Sequence, residues 1–426
     1  MAPTYYSGMK AIYLPRESPG DIPNPFYEAL PPALSFKETL AALADPSNFF
    51  DKRWREMRPE KRLGRLTYMQ EFFFVPRPCH AHLVSAVRQI LYCSYTSRGD
   101  VFTPGYFATD LDDFLDLIDR ENRYSRNLGL FGDAGSGKSL AMLRAIGQIP
   151  KIICHTNYEG KELIMDQAPI VVVICPKSGD LALCRAILRA ISKHLKSPYK
   201  NPKSSEEGEA MIAAKVRAGA IGLIVLDEYD AIFKGSKVDD TLQMLTRLNE
   251  EAGIPFMKLG TRFAFGRVKN VPHTARRSAG YGPWRKMDKN EEWEAWLESV
   301  LKFHLTDKPL VYSAEMSGIF YEYSQGLAEA VIGLFVTTQK RALLEERKEV
   351  LPKDFKGVDE GEMFTMTPTL LKYRRLAAKN QAKTPETSTP KTPSVPQDPG
   401  MDVGKITGES SPSPEPPRED PPTPEA

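Results

Sequence analysis

Long apolar runs are missing from this chain of 426 residues. None reaches the roughly 18 residues of a membrane-spanning helix, so no membrane association is expected. The N-terminus MAPTYYSGMK lacks the apolar centre of a secretory signal, and a cytoplasmic location is expected. Histidine is scarce: the six present have no metal-ligand spacing, and His80 and His82 lack nearby partners. That argues against a zinc site. The five cysteines (79, 93, 154, 175 and 184) are odd in number and scattered, and Cys154 and Cys175 sit in apolar, strand-like runs. Buried free thiols in a reducing compartment fit better than a disulfide framework. Net charge is also small, +2. It is uneven, because the last 46 residues carry four basic and eight acidic side chains, which leaves +6 on the first 380. A mildly basic body is compatible with a nucleic-acid partner.

Composition divides the chain. Residues 381–426 hold twelve of the 35 prolines and no aromatic residue. Such a segment cannot bury enough apolar surface to offset its ordering entropy, so a disordered, partly polyproline II tail is expected. It is either a passive solubilising tail or a tether that orders on a partner protein. Residues 1–100 form a mostly helical N-terminal region, with apolar residues at helical spacing in LSFKETLAALADP and HAHLVSAVRQILYCSY. Between these, residues 52–65 carry seven basic side chains against two acidic ones, the pattern of a solvated helix face or of a contact with a polyanion.

Residues 101–290 change character. Short β-branched runs (NLGLFG, KIICHTNY, PIVVVICP, GLIVLD, PFMKLGT) alternate with amphipathic helix patterns over 139–146, 180–195, 206–218 and 239–252. That alternation predicts an α/β fold, a parallel sheet sandwiched by helices. Residues 291–355 read as a helical lid and 356–380 as a C-terminal extension. No internal repeat is evident.

The clearest chemical signal is Gly132-Asp133-Ala134-Gly135-Ser136-Gly137-Lys138-Ser139, followed by Leu140. It matches the phosphate-loop pattern G-x-x-x-x-G-K-[ST], with an apolar strand before it and a helix after it. In such a loop the glycines let backbone N–H groups curl around phosphates, and the new helix aims its positive end at them. Lys138 is expected to reach the β- and γ-phosphates of ATP, and Ser139 to hold Mg2+. A second strand ending in acid, LIVLDEYD, supplies Asp227 for the magnesium shell and Glu228 to orient and polarise an attacking water. The 90-residue gap after the loop leaves room for a strand inserted between them. An acid at the Glu228 position suits water as the acceptor, so ATP hydrolysis is favoured over transfer to a small molecule. At the end of the next strand stands Thr261, either a third polar group for the water or γ-phosphate or an ordinary strand-end turn residue. Residues 262–286 then carry seven basic side chains and no acid. In a ring-forming ATPase this region supplies an arginine to the neighbouring subunit's γ-phosphate, and Arg276 and Arg277 are the candidates. The alternative is a solvated or DNA-facing basic loop.

Together the phosphate loop, the acid-ended strand and the helical lid resemble an AAA+ ATPase. The finer pattern resembles the TnsC/TniB family, the AAA+ regulators of transposition in Tn-seven-like and CRISPR-associated transposons. It rests on RGDVFTPGYFATD, PKIICHTNYEGKE, PIVVVICPKSGD, LIVLDEYDAI, LNEEAGIPFMKLGTRFAF, ARRSAGYG and EYSQGLAEAVIGLFVTTQKRAL, over roughly residues 70–350. The resemblance implies a bacterial, ATP-dependent homo-oligomer, a hexameric ring or helical filament on duplex DNA. It would take a signal from a target-selection protein or CRISPR effector complex and activate transposase subunits, with hydrolysis timing disassembly. Family likeness also implies that CHTNYEGKE and CPKSGD face the DNA, which makes Thr156, Lys161, Lys177 and Ser178 candidates for phosphate contacts. Two departures stand out. Thr261 takes the place where many AAA+ proteins have Asn, and SQGLAEA begins the lid helix without an arginine, so slow hydrolysis is expected. Two other readings use the same motifs: another AAA+ assembly factor (initiator-like, helicase-loader-like, or a secretion or defence ATPase), and a nucleotide-gated scaffold that hardly hydrolyses ATP.

Overall fold

A computed structural model describes residues 8–15, 24–45, 47, 49–98, 127–177, 179–235, 237–269, 278–358, 361 and 367–381. All of the proline-rich tail except Gln381 lies outside them. Most of RGDVFTPGYFATD and the candidates Ser178, Arg276 and Arg277 do as well.

Five strands form the central sheet: β2 (Asn127–Gly132), β5 (Ile170–Ile174), β6 (Leu223–Asp227), β7 (Phe256–Gly260) and β8 (Ser278–Trp284). Their order is β5-β6-β7-β2-β8, and every pairing is parallel. Both faces are covered, which is why IVVVI and LIVLD read as continuous apolar runs rather than alternating ones. On one face, α6 (Asp180–His194), α7 (Ser205–Ala218) and α8 (Val238–Glu251) bury Leu183, Ile187, Ile212, Val216, Leu245 and Leu248 against Val171, Ile224 and Phe256. The opposite face packs on α5 (Lys138–Ile146) and on elements from both ends of the chain.

One run departs from expectation. KIICHTNY is not a strand of the parallel sheet. Its β3 (Ile153–Tyr158) pairs antiparallel with β4 (Lys161–Gln167) and parallel with β1 (Met9–Lys10), in a separate three-stranded sheet. Glu159 and Gly160 turn the hairpin with φ of 49° and 80°. Two positive φ values in a two-residue turn match the twist of the flanking strands. His155 and Tyr158 are therefore interior residues. His155 sits between Tyr13 and Gln167, and Tyr158 donates to Glu28 at 2.8 Å.

The N-terminal helices are α1 (Pro25–Glu28), α2 (Phe36–Leu43), α3 (Pro59–Phe72) and α4 (Pro78–Thr96). The Ser35 side chain and Glu38 form a reciprocal cap on α2. Tyr95 and Arg98 clasp α4 to the central sheet through the carbonyls of Ala220 and Ile221, each at 2.8 Å. The basic run is partly absorbed: Arg55 donates to the carbonyls of Lys302 and His304, and buried Arg62 to that of Leu305 and to Asp307. The rest, such as Lys52, Arg53, Arg58, Lys61 and Arg65, is exposed.

The C-terminal helices are α10 (Glu291–Leu301), α11 (Ala314–Ser324), α12 (Ala328–Leu344) and α13 (Thr367–Gln381). Asn290 caps α10 through Trp293 N–H. α12 is buried nearly all round, from Ala330 to Gln339. All five cysteines are free, with Cys175 and Cys184 buried. No helix of the described residues is long and apolar enough to cross a membrane.

Candidate nucleotide site

The phosphate-loop segment lies between β2 and α5, at the carboxyl ends of the parallel strands. Gly135 and Gly137 take φ of 74° and 85°, where a side chain would be strained. Gly132 is held for a different reason: a Cβ there would meet the carbonyl oxygen of Trp284 at 2.0 Å. The Trp284 indole N–H donates to Ser136 O at 2.8 Å, so β8 braces the loop from below. Ala134 is exposed and Leu140 half-buried at the start of α5. Lys138 Nζ donates to the loop's own carbonyls, Asp133 O at 2.7 Å and Gly132 O at 3.3 Å. Burial pushes the Lys138 pKa down, against the opposing pull of Asp230, Asp133, Asp227 and Glu228.

β6 delivers the acids. With β7 inserted between β6 and β2, Asp227 comes across to the loop, and Ser139 Oγ donates to its Oδ1 at 3.0 Å. Glu228 follows in a left-handed conformation, φ 54°, with its N–H on Asp227 Oδ1 at 2.9 Å and its side chain exposed. Strained backbone of this kind concentrates at functional sites. The sheet order, the loop between β2 and α5, and the acids on the strand beyond β7 decide the architecture. The core is of the AAA+ type.

Comparison with known proteins finds one matching family model and several solved structures of low similarity. The family described as "Bacterial TniB protein" matches residues 106–281, less than half of the chain. No curated protein sequence matches at a significant level. Among solved structures, the chain is similar to the ORC2 protein of Aeropyrum pernix in its ADP form (15% identity, 55% of this chain and 62% of that one, TM-score 0.40). It is similar also to the A. pernix ORC1 protein in complex with DNA (16%, 61% and 68%, 0.39) and to a Walker-type ATPase of Pyrococcus abyssi (13%, 65% and 78%, 0.39). The match thus takes in less than two thirds of the ORC2 chain.

Around this AAA+ core stand residues that sequence reasoning missed. Asp230, on the turn after β6, accepts the Thr261 N–H at 2.7 Å and the Thr261 hydroxyl at 2.5 Å. Thr261 also accepts the Phe263 N–H at 3.2 Å, at the start of α9 (Arg262–Lys269). Arg262 forms a two-pronged ion pair with buried Asp133, at 2.8 and 2.9 Å. The fourth residue of DEYD and the arginine after the strand-end threonine were the available signals, but nothing local marks their partners.

The lid closes directly on the loop. Glu329 N–H, at the start of α12, donates to Gly135 O at 3.0 Å. The SQG segment is the turn before it: Gln325 and Gly326 take φ of 55° and 77°, and Met287 N–H donates to Gly326 O at 2.8 Å. Lys286 donates to Gln325 O at 2.8 Å, and its ammonium lies 5.6 Å from the Tyr321 ring and 5.3 Å from the Tyr373 ring. Tyr373, from α13, is raised in pKa by burial and by the Asp133 carboxylate it hydrogen-bonds. The C-terminal extension therefore reaches the phosphate loop.

The DNA candidates are divided between two sheets. Thr156 and Lys161 are exposed on the β3–β4 hairpin, and Lys177 is exposed in the turn from β5 to α6. Among the described residues, no cluster of three His, Cys, Asp or Glu is arranged to hold a metal ion. Ser139 and Asp227 do offer the hard oxygen donors that Mg2+ takes alongside phosphate oxygens and water.

Proposed function

We propose that this chain is an ATP-dependent, DNA-binding regulator of transposition. It oligomerises on duplex target DNA with ATP, connects a target-selection factor to the transposase and activates insertion. The observation that carries this reading is the similarity to bacterial TniB over residues 106–281, which contain the phosphate loop and both strand-end acids.

ATP hydrolysis follows from the chemistry of the site. The loop's N–H groups and Lys138 bind the triphosphate, whose oxygens replace the two carbonyls that now hold the lysine. Ser139 and Asp227 would hold Mg2+, which when bound offsets charge on the phosphates. Glu228, at the mouth, orients and polarises the attacking water. Arg276 or Arg277 of an adjoining subunit would steady the charge on the transferring phosphoryl group. The lid helix begins without an arginine, and this supports slow turnover. Slow turnover suits a clock for disassembly better than a metabolic reaction.

Thr156, Lys161, Lys177 and Ser178 are the proposed DNA contacts, made to phosphates and so independent of sequence. Full-length protein with duplex DNA and a non-hydrolysable ATP analogue should form rings or filaments under the electron microscope. It should also stimulate insertion by a transposase encoded beside it. DNA affinity should fall steeply between about 50 and 200 mM salt. Bare DNA in the micrographs, or no effect of Lys138→Ala on insertion, would overturn the reading.

A further inference from the structure

Thr261 has one hydroxyl proton and two lone pairs to place. The proton goes to Asp230 Oδ1 at 2.5 Å, and one lone pair takes the Phe263 N–H at 3.2 Å. Asp230 Oδ2 meanwhile takes the Thr261 N–H at 2.7 Å, so the carboxylate grips the residue at two points. Gly260 allows the approach, because a Cβ there would stand 3.2 Å from Asp230 Oδ2 and 2.9 Å from Ala264 Cβ. What remains on the half-buried Thr261 oxygen is one lone pair and no proton. Such a group cannot donate to a phosphate oxygen. It can accept a hydrogen from water.

We infer that Asp230 is a positioning residue for hydrolysis. By taking the Thr261 proton it makes that oxygen an acceptor only, which holds one hydrogen of the attacking water and turns the water's lone pair toward phosphorus. Glu228 then receives the other hydrogen. This rests on the ATPase reading above. It also gives a reason for the fourth acid in DEYD, and it assigns the polarity of a contact that the sequence left open between water and γ-phosphate. An asparagine at position 261 would serve the same geometry, its amide N–H on Asp230 and its carbonyl on the water.

The test is steady-state ATP turnover by the full chain with duplex DNA, alongside binding of a non-hydrolysable ATP analogue. Asp230→Asn cannot accept both Thr261 hydrogens, and misplacing the water should lower kcat about 10–100-fold while analogue affinity does not fall, because the change also removes an anion that pulls on Lys138. Thr261→Val should do the same, and the double variant should be no worse than Thr261→Val alone. Thr261→Asn should restore most of the rate. Thermal melting shows that each variant is folded. Wild-type kcat in Asp230→Asn overturns the inference. So does a fall in analogue affinity that matches the fall in rate, or a Thr261→Asn protein as slow as Thr261→Val. Absence of turnover in the wild type, with Glu228→Gln no different, overturns the ATPase reading and this inference together.

Discussion

Arg262 grips the carboxylate of Asp133 with two N–H groups, at 2.8 and 2.9 Å, and so ties α9 to the second residue of the phosphate loop. Asp133 is 8% exposed, and an anion there faces the same lysine that we propose binds the triphosphate. Truncating the arginine removes the closest cation facing the buried Asp133 and leaves Tyr373, Lys138 and Lys286 around a less balanced charge. Arg262→Ala should therefore weaken binding of an ATP analogue about tenfold, a difference of about 1.4 kcal/mol. Asp133→Asn in the same chain should recover most of it, because the uncompensated anion is gone. Calorimetric titration of both proteins checks this; a double variant as weak as Arg262→Ala would show that the arginine acts on the nucleotide directly.

Glu228 and Lys138 should separate hydrolysis from binding. Glu228 is exposed, and its bond to the Asp227 carboxylate is made by the backbone N–H rather than the side chain, so Glu228→Gln leaves the loop's contacts intact. It should trap ATP and prolong oligomers on DNA, with turnover lowered at least ~100-fold. Lys138→Ala should lose nucleotide affinity and, with it, nucleotide-dependent assembly on DNA. Filter retention of radiolabelled ATP and sedimentation with DNA read the two effects apart.

The elements that were legible are those whose reason is local. The turn from β2 into α5 follows from glycine spacing, and β5, β6 and β7 follow from apolar runs covered on both faces. KIICHTNY carries the same β-branched signal, yet β3 belongs to another sheet. What decides its place is the Glu159–Gly160 turn and a polar network through His155, Gln167 and Tyr95, and those partners are far apart in sequence. Arg55 and Arg62 look like part of a charge run, and only the folded chain brings them to carbonyls some 240 residues away. Asp230, Arg262 and Tyr373 were illegible on the same ground: each meets partners distant in sequence.

Gly326 tests the closure of the lid. Its φ is 77°, and a Cβ would meet the carbonyl oxygen of Met287 at 2.1 Å, a backbone atom that cannot step aside. Gly326→Ala should cost ~2–3 kcal/mol of stability through strain and displaced backbone. It should also loosen the turn that places Glu329 N–H on Gly135 O, so nucleotide affinity should fall with the melting temperature. Gly266→Ala is the control, since a Cβ there meets nothing within 4 Å. Inside α9 alanine should be neutral or stabilising, so a Gly326→Ala protein that melts no lower than Gly266→Ala would mean that the Met287 contact does not constrain the turn.

Lys258 lies on β7, an interior strand of the sheet, and is 3% exposed. Burial alone pushes its pKa down from 10.5 to about 8, and the ring of Tyr229 at 5.7 Å is the group its ammonium faces. Below pH 8 the lysine is charged in both states, and the folded chain carries the full cost of a buried cation. Between pH 8 and 10.5 the unfolded chain binds a proton that the folded chain has released, so unfolding free energy should rise with pH across that window. Lys258→Met keeps the length of the side chain and removes the charge. It should stabilise the protein at pH 7 by about 2–3 kcal/mol and flatten the rise between pH 8 and 10.5. Denaturant unfolding of both proteins at pH 7 and pH 10 measures this directly. A Lys258→Met protein that is less stable at pH 7 would mean that the attraction between the ammonium and the Tyr229 ring outweighs the cost of burial.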